Sequence, residues 1–211
     1  MYSVAPFDLD GTLTESGIGI TRSVAYSLRK FGMEETDQAK LDLFIGPPLI
    51  DSYMQYYGFT REQAVQAVAW YREYYAGTGI FENRVYDGVE TMLRTLRDRG
   101  VTCVLATSKP EYYALQILDY FGLSPWFSVV AGAAMDETRT GKAAVIAYAL
   151  SQLPEHGPAI MVGDKRHDIL GAKANGLPSV GVLYGYGSRQ ELEAAGADHL
   201  AETPMDILKW I

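Results

Sequence analysis

Two short acidic strings carry most of the chemical potential of this sequence. Asp8-Leu9-Asp10-Gly11-Thr12 follows the apolar run from Val4, and Gly163-Asp164-Lys165-Arg166-His167-Asp168 follows Ala159-Ile160-Met161-Val162. Asp8 and Asp10 are two apart at a strand's end, so their side chains lean to the same side, and Gly11 permits a sharp turn. Taken alone, the first string also reads as a capped turn. Converging carboxylates repel one another unless a cation sits among them, and oxygen ligands with water are what Mg²⁺ prefers. The two strings together therefore predict a metal site. Thr107-Ser108-Lys109-Pro110 stands between a strand pattern and a helix pattern, where hydroxyls and backbone N–H groups at a helix N-terminus form an anion site; a plain N-cap by Ser108 is the alternative. Lys142, near the start of another helix pattern, is either a solvated lysine or the cation that offsets the carboxylates. A nucleophile, a divalent ion, donors for equatorial oxygens and a second acid/base are the parts needed for phosphoryl transfer to a carboxylate.

Strands alternating with helices must position these residues. Strands are expected over Val4 to Leu9, Val101 to Thr107, Trp126 to Ala131, Ala159 to Val162 and Ser179 to Tyr184. Helices are expected over Val89 to Gly100, from Pro110 through Phe121, over Gly141 to Leu153 and Ile169 to Ala174, and around Gln190 to Ala195 and Met205 to Trp210. Pro6 gives no donor to a sheet ladder, so it fits better near a strand's start than in its middle. This alternation implies an α/β fold, a Rossmann-like parallel sheet with helices on both faces. Sites in such sheets lie beyond the carboxyl ends of the strands, and Asp8/Asp10, Thr107/Ser108 and Asp164/Asp168 all fall there.

Between the first strand and the rest lies a helical block. Val24, Leu28 and Phe31 share one helix face before Gly32 stops it. Pro47 or Pro48 suits the first turn of a second helix. Thr60 with Gln63 forms a capping box for a third, which carries Val65, Val68, Ala69 and Tyr71 as far as Ala76. The expected division is a core of residues 1–14 and 83–211 with an inserted α-helical cap of residues 15–82. Arg22, Gly46 and Pro47 are the candidates there for touching a substrate, and hinge motion is expected near Glu15, Ser16, Asn83 and Arg84. The block's aromatics, among them Tyr53, Tyr56, Tyr57, Trp70, Tyr71, Tyr74 and Tyr75, are read as helix packing, with stacking on a nucleobase as the alternative. The Tyr184-Gly185-Tyr186-Gly187 loop either borders the pocket or is a plain turn.

The 211 residues carry a formal charge of −8, which gives no global attraction for nucleic acid or an anionic membrane. One cysteine, Cys103, cannot form an intramolecular disulfide and sits in an apolar run as a small buried hydrophobe. No signal peptide and no membrane-spanning stretch are read, so a cytoplasmic protein is expected, as a monomer or weak dimer. The three histidines do not cluster, and Lys165, Arg166 and His167 read as exposed residues at a helix start.

In order along the chain, these strings resemble the signature motifs of the haloacid dehalogenase superfamily of phosphatases. Phe7-Asp8-Leu9-Asp10-Gly11-Thr12-Leu13 is similar to the first, Leu105-Ala106-Thr107-Ser108-Lys109 to the second, Lys142 to the third, and Val162-Gly163-Asp164 with Asp168 to the fourth. The resemblance implies that Asp8 is the nucleophile that becomes an aspartyl-phosphate. It implies that Asp10 is the general acid and then the base. Asp8, Asp164 and the Asp10 backbone carbonyl would hold Mg²⁺, with Asp168 supporting the site. Thr107, the Ser108 backbone N–H and Lys142 would bind the phosphoryl group. Strings such as Phe44-Ile45-Gly46-Pro47-Pro48-Leu49 and Gly181-Val182-Leu183-Tyr184-Gly185-Tyr186-Gly187-Ser188 resemble the phosphoglycolate phosphatase group with a helical cap, and a bacterial subgroup described as 5′-nucleotidase-like. The activity implied is Mg²⁺-dependent hydrolysis of a small phosphate monoester, phosphoglycolate or a nucleoside 5′-monophosphate. A sugar phosphomutase, or a non-catalytic regulatory module on the same fold, are the alternatives.

Overall fold

The computed structural model describes residues 2–135 and 138–211. The chain forms two compact units, one from Met1–Glu15 with Val85–Ile211 and the other from Ser16–Arg84.

The first unit is built on six parallel strands: β1 (Val4–Phe7), β2 (Thr102–Pro110), β3 (Val129–Ala133), β4 (Met161–Gly163), β5 (Ser179–Val182) and β6 (His199–Ala201). Their order is β3-β2-β1-β4-β5-β6. The chain therefore moves outward from β1 on one side and then returns to β1's other side. Right-handed crossovers in opposite directions put helices on opposite faces of the sheet. In this unit α5 (Val89–Asp98) and α6 (Glu111–Tyr120) belong to the outward crossovers, and α7 (Lys142–Ser151), α8 (Arg166–Ala174) and α9 (Arg189–Ala195) to the returning ones. On the second face Val4, Val104, Ala106, Ala131 and Met161 pack against Val145, Ile146, Ala149 and Ala172. Near-continuous apolar strands are what a sheet covered on both faces requires.

The helical unit contains α1 (Gly17–Lys30), α2 (Gln38–Asp42), α3 (Leu49–Tyr57) and α4 (Arg61–Tyr75), followed by a 3₁₀ turn at Gly79–Phe81. Val24 and Leu28 of α1 are fully buried, as their spacing predicts. Thr60 and Gln63 form the expected capping box. The buried face of α4 runs through Ala64, Ala67, Val68, Tyr71 and Tyr75, whereas Val65 is half exposed. The aromatics pack on one another: Phe44 on Tyr53 at 4.8 Å, Phe31 on Trp70 at 4.8 Å, and Tyr53 stacked on Phe59 at 5.8 Å.

Several expectations need correcting. Pro6 lies inside β1, paired with Val104 in the middle of the sheet. Its missing donor shows on the other side of β1, where the ladder to β4 is reduced to Phe7 opposite Val162 and an isolated bridge between Val4 and Ala159. β2 does not end at Thr107 but continues to Pro110, which pairs with Ala133 after a register shift. Pro110, not Ser108, is therefore the N-cap residue of α6. Trp126 belongs to a 3₁₀ turn rather than to β3, and Pro48 is the N-cap of α3, with Pro47 before it, so neither proline lies within the helix's first turn. The short elements α2 and β6 carry too few residues for a period to be read, and the final helix is 3₁₀ over Pro204–Lys209.

Among the described residues, no helix is long and apolar enough to cross a membrane. Cys103 is buried in β2, and burial pushes its thiol up to about 12. The thiolate is the reactive form, so iodoacetamide at pH 8 should leave the native protein unmodified by intact mass. After denaturation the same treatment should add one adduct.

Candidate active site

The carboxyl ends of β1, β2 and β4 converge because these three strands are neighbours in the sheet. Asp8 follows β1 directly, and its N–H donates to Val162 O across to β4 at 2.9 Å. The chain then reverses: Gly11, at φ 81°, donates to Thr14 O at 2.8 Å, and Leu13 and Thr14 both donate to Leu9 O. A left-handed φ at that place is what the sequence supplies glycine for. Asp164 follows β4, and Asp168 lies in the first turn of α8, where its Oδ2 accepts from the Lys165 N–H at 2.9 Å.

Lys142, the first residue of α7, joins this group. Its Nζ lies 2.7 Å from Asp8 Oδ1 and 2.8 Å from Asp168 Oδ1, and donates to Ala106 O at 3.1 Å. Only 4% of its side chain is exposed. This settles the choice between a solvated and an internal lysine. Burial disfavours its ammonium, but Asp168 and Asp8 outweigh burial and leave its pKa above the ordinary lysine value. For Asp8 the sum runs the other way. Burial, together with Asp168, pushes its carboxyl up to about 6 against the pull of Lys142 and a hydrogen bond with Thr107. Burial and the charges of Asp168 and Asp8 raise Asp164 well above the usual carboxylate range.

Asp8, Asp164 and Asp168 each offer an oxygen, and the three lie within 4.8 Å of one another. Asp164 Oδ2 accepts from the Tyr186 N–H at 2.8 Å, while its Oδ1 is buried with no hydrogen-bond partner. Three carboxylates face one ammonium in a buried volume, and a divalent cation is what offsets the remaining charge. An all-oxygen donor set suits a hard cation. The residues present therefore fit a metal ion.

The Asp10 carboxylate stands outside that group of three. It is held by Lys109 Nζ at 2.6 Å, with both side chains almost buried. Lys109 had no assigned role from its sequence context, although it stands directly after the Thr107-Ser108 pair. Thr107 is buried, and its Oγ1 accepts from the Lys109 N–H at 3.2 Å. Here the structure corrects the helix-terminus expectation. Between the pairs Ala106–Ala131 and Pro110–Ala133, four steps of β2 face two of β3, so Thr107, Ser108 and Lys109 form a bulge. Bulges re-aim side chains beside sites. A clasp braces this one: Arg139 donates to Gly132 O at 2.8 Å and to Glu111 Oε2 at 2.7 Å, and Glu111 also accepts from the Gly132 N–H.

His167 is half-buried rather than exposed, and burial lowers its pKa. Lys165 donates to Tyr186 O at 3.2 Å. In the helical unit, Arg22 is on α1 and pairs with Glu82, while Gly46 and Pro47 lie in the loop before α3.

Residues 6–182 match the haloacid dehalogenase-like hydrolase family, and the chain belongs to it. Among curated relatives, a 5′-nucleotidase of Pseudomonas aeruginosa is 45% identical over 92% of this chain and 88% of its own length. The tyrosine-protein kinase PtkA of Mycobacterium tuberculosis is 40% identical over 86% of this chain, which spans 62% of that protein. The crystal structure of a predicted phosphatase from Clostridium acetobutylicum is 45% identical, covers 100% of this chain and 98% of its own, and superposes with a TM-score of 0.95. The chain is thus a hydrolase of the phosphatase class, with the α/β fold that its alternating pattern predicts.

Breaking a buried ion pair by removing one partner leaves uncompensated charge. Lys142→Met should therefore lower the unfolding free energy of the metal-free protein by about 3–5 kcal/mol in urea titrations. Adding Asp168→Asn to that variant should recover part of the loss.

Proposed function

We propose that the chain is a Mg²⁺-dependent phosphomonoesterase that works through a phosphoryl group carried on Asp8. The observation that carries this reading is the buried Lys142 set between Asp8 and Asp168, with the unpartnered oxygen of Asp164 beside them. Such a group has no structural economy of its own, since each buried charge is held against a desolvation penalty.

Asp8, Asp164 and Asp168, with the Asp10 backbone carbonyl, would hold Mg²⁺, which when bound supplies positive charge against the phosphoryl oxygens. An Asp8 carboxylate oxygen attacks phosphorus as the bond to the ester oxygen breaks. The Asp10 carboxyl gives its proton to that departing oxygen. Asp10 then takes a proton from water as the water attacks the phosphorus of the acyl phosphate, which releases inorganic phosphate and restores Asp8. The Thr107 hydroxyl, the Ser108 N–H and Lys142 bind the equatorial oxygens. The bulge in β2 supports this role by turning three successive residues out of the ladder.

The substrate we assign is a small phosphate monoester of the cytoplasm, with nucleoside 5′-monophosphates and phosphoglycolate the first to test. Selection among esters belongs in this reading to the helical unit, as an inserted cap, through Arg22, Gly46 and Pro47. The expected state is a monomer or weak dimer.

Asp8→Asn should reduce phosphate release by at least about 10³-fold while the circular dichroism spectrum stays that of the parent. EDTA should abolish release by the parent protein and Mg²⁺ should restore it. Unimpaired turnover by the variant would overturn the mechanism, and transfer of phosphate to another hydroxyl without net release would make the enzyme a mutase.

A further inference from the structure

We propose that the loop Tyr184-Gly185-Tyr186-Gly187 positions Asp164, fixing one of its carboxylate oxygens so that the other is left for the cation. The inference rests on the divalent-ion site proposed above. A carboxylate at a strand end can rotate and exchange its oxygens. Here the Tyr186 N–H holds Oδ2 at 2.8 Å, and Oδ1 is the buried oxygen with no hydrogen-bond partner.

The loop is itself fastened on three sides. The Tyr184 hydroxyl donates to Thr12 O at 2.9 Å, which ties the loop to the turn after Asp10. The Tyr86 ring meets Tyr184 edge-on at 5.0 Å. Lys165, next to Asp164, donates to Tyr186 O. These ties join the nucleophile turn, the Asp164 segment and the loop after β5 into one piece.

The glycines record how closely the backbones approach. A Cβ at Gly185 would overlap Gly11 O and the Asp164 side chain, and one at Gly187 would overlap Asp164 O. A Cβ at Gly11 would overlap Asp164 Oδ2. Neither Gly185 nor Gly187 has a left-handed φ, so at both positions the constraint is space rather than backbone conformation. The alternating Tyr-Gly-Tyr-Gly string thus supplies the backbone donor, the hydroxyl tie and the two gaps that let the loop close on Asp164. Partners of this kind, one step behind a metal ligand, commonly change affinity by about 10–100-fold.

The test is calorimetric titration of Mg²⁺ alone into metal-stripped protein, without substrate, with the Tm of each variant measured in parallel. Gly185→Ala should weaken Mg²⁺ binding tenfold or more, and the milder Tyr184→Phe about threefold or more. Ile207→Ala, which opens a cavity where the C-terminal 3₁₀ turn packs on α5, should lower the Tm but keep Mg²⁺ affinity within twofold. Parent protein that binds Mg²⁺ together with a folded Gly185→Ala that binds within twofold of it would overturn the inference. If Gly185→Ala does not fold, Tyr184→Phe decides on the same criterion. An equal loss of affinity in Ile207→Ala would also overturn it, by making the effect one of general destabilisation. Parent protein that binds no Mg²⁺ would remove the metal site itself, and the loop's role with it.

Discussion

Lys142 holds two carboxylates, Asp8 and Asp168, with all three side chains buried, and the rest of the site is arranged around that contact. Taking charges out of water has a penalty of several kcal/mol per ion even after the protein relaxes. The lysine lessens it for two acids but cannot do so for three, and Asp164 is the third. Burial first, and then the charges of Asp168 and Asp8, raise its pKa, and one of its oxygens is left with no hydrogen-bond partner. A cluster left in that condition favours a cation, and a bound cation would turn the local field toward an anion. This is how an acidic protein of net charge −8 can accommodate a phosphate ester. The chain's surplus of acid is a property of the whole, and the field inside the site is set by a few charges at short range.

Topology makes the contact possible. β1 lies where the chain's direction of travel across the sheet reverses, between β2 and β4. Crevices at the carboxyl ends of strands open at such switch points. Asp8 and Asp164 therefore come from neighbouring strands that are far apart in sequence, and Lys142 reaches them from the helix that crosses between β3 and β4. The bulge in β2 adds Thr107, Ser108 and Lys109 at the same edge, and Lys109 draws the Asp10 carboxylate to itself. The two carboxylates of the first acidic string thus have different partners, Lys142 for Asp8 and Lys109 for Asp10. Separate environments are what allow two neighbouring acids to take different roles.

Much of this was legible in the sequence, and what was not has physical reasons. The strand–helix alternation announced the parallel sheet because burial on both faces forces apolar runs of a recognisable length. The acidic strings announced themselves because they end such runs. A proline inside a central strand defied the local rule, since only the β4 side of β1 loses a donor and the β2 side keeps its full register. The extension of β2 to Pro110 was hidden for a related reason. A bulge interrupts periodicity, so Thr107-Ser108-Lys109-Pro110 looked like a strand end followed by a helix start. The ion pair between Lys109 and Asp10 and the backbone donor of Tyr186 join positions 99 and 22 residues apart. No local pattern encodes such pairs. The Tyr-Gly-Tyr-Gly string did carry a signal, because glycines alternating with aromatics are an odd choice for a plain turn.

The central claim is that Asp8 accepts the phosphoryl group before water does. It is tested most directly by acid quench during turnover of radiolabelled p-nitrophenyl phosphate, followed by mapping of the labelled peptide. The Asp10→Asn variant is the protein of choice, because a good leaving group does not need the acid while hydrolysis of the acyl phosphate still needs the base. The account predicts a hydroxylamine-labile phosphate that accumulates on Asp8. Label on any other residue, or release of inorganic phosphate with no protein-bound phosphate, would contradict it.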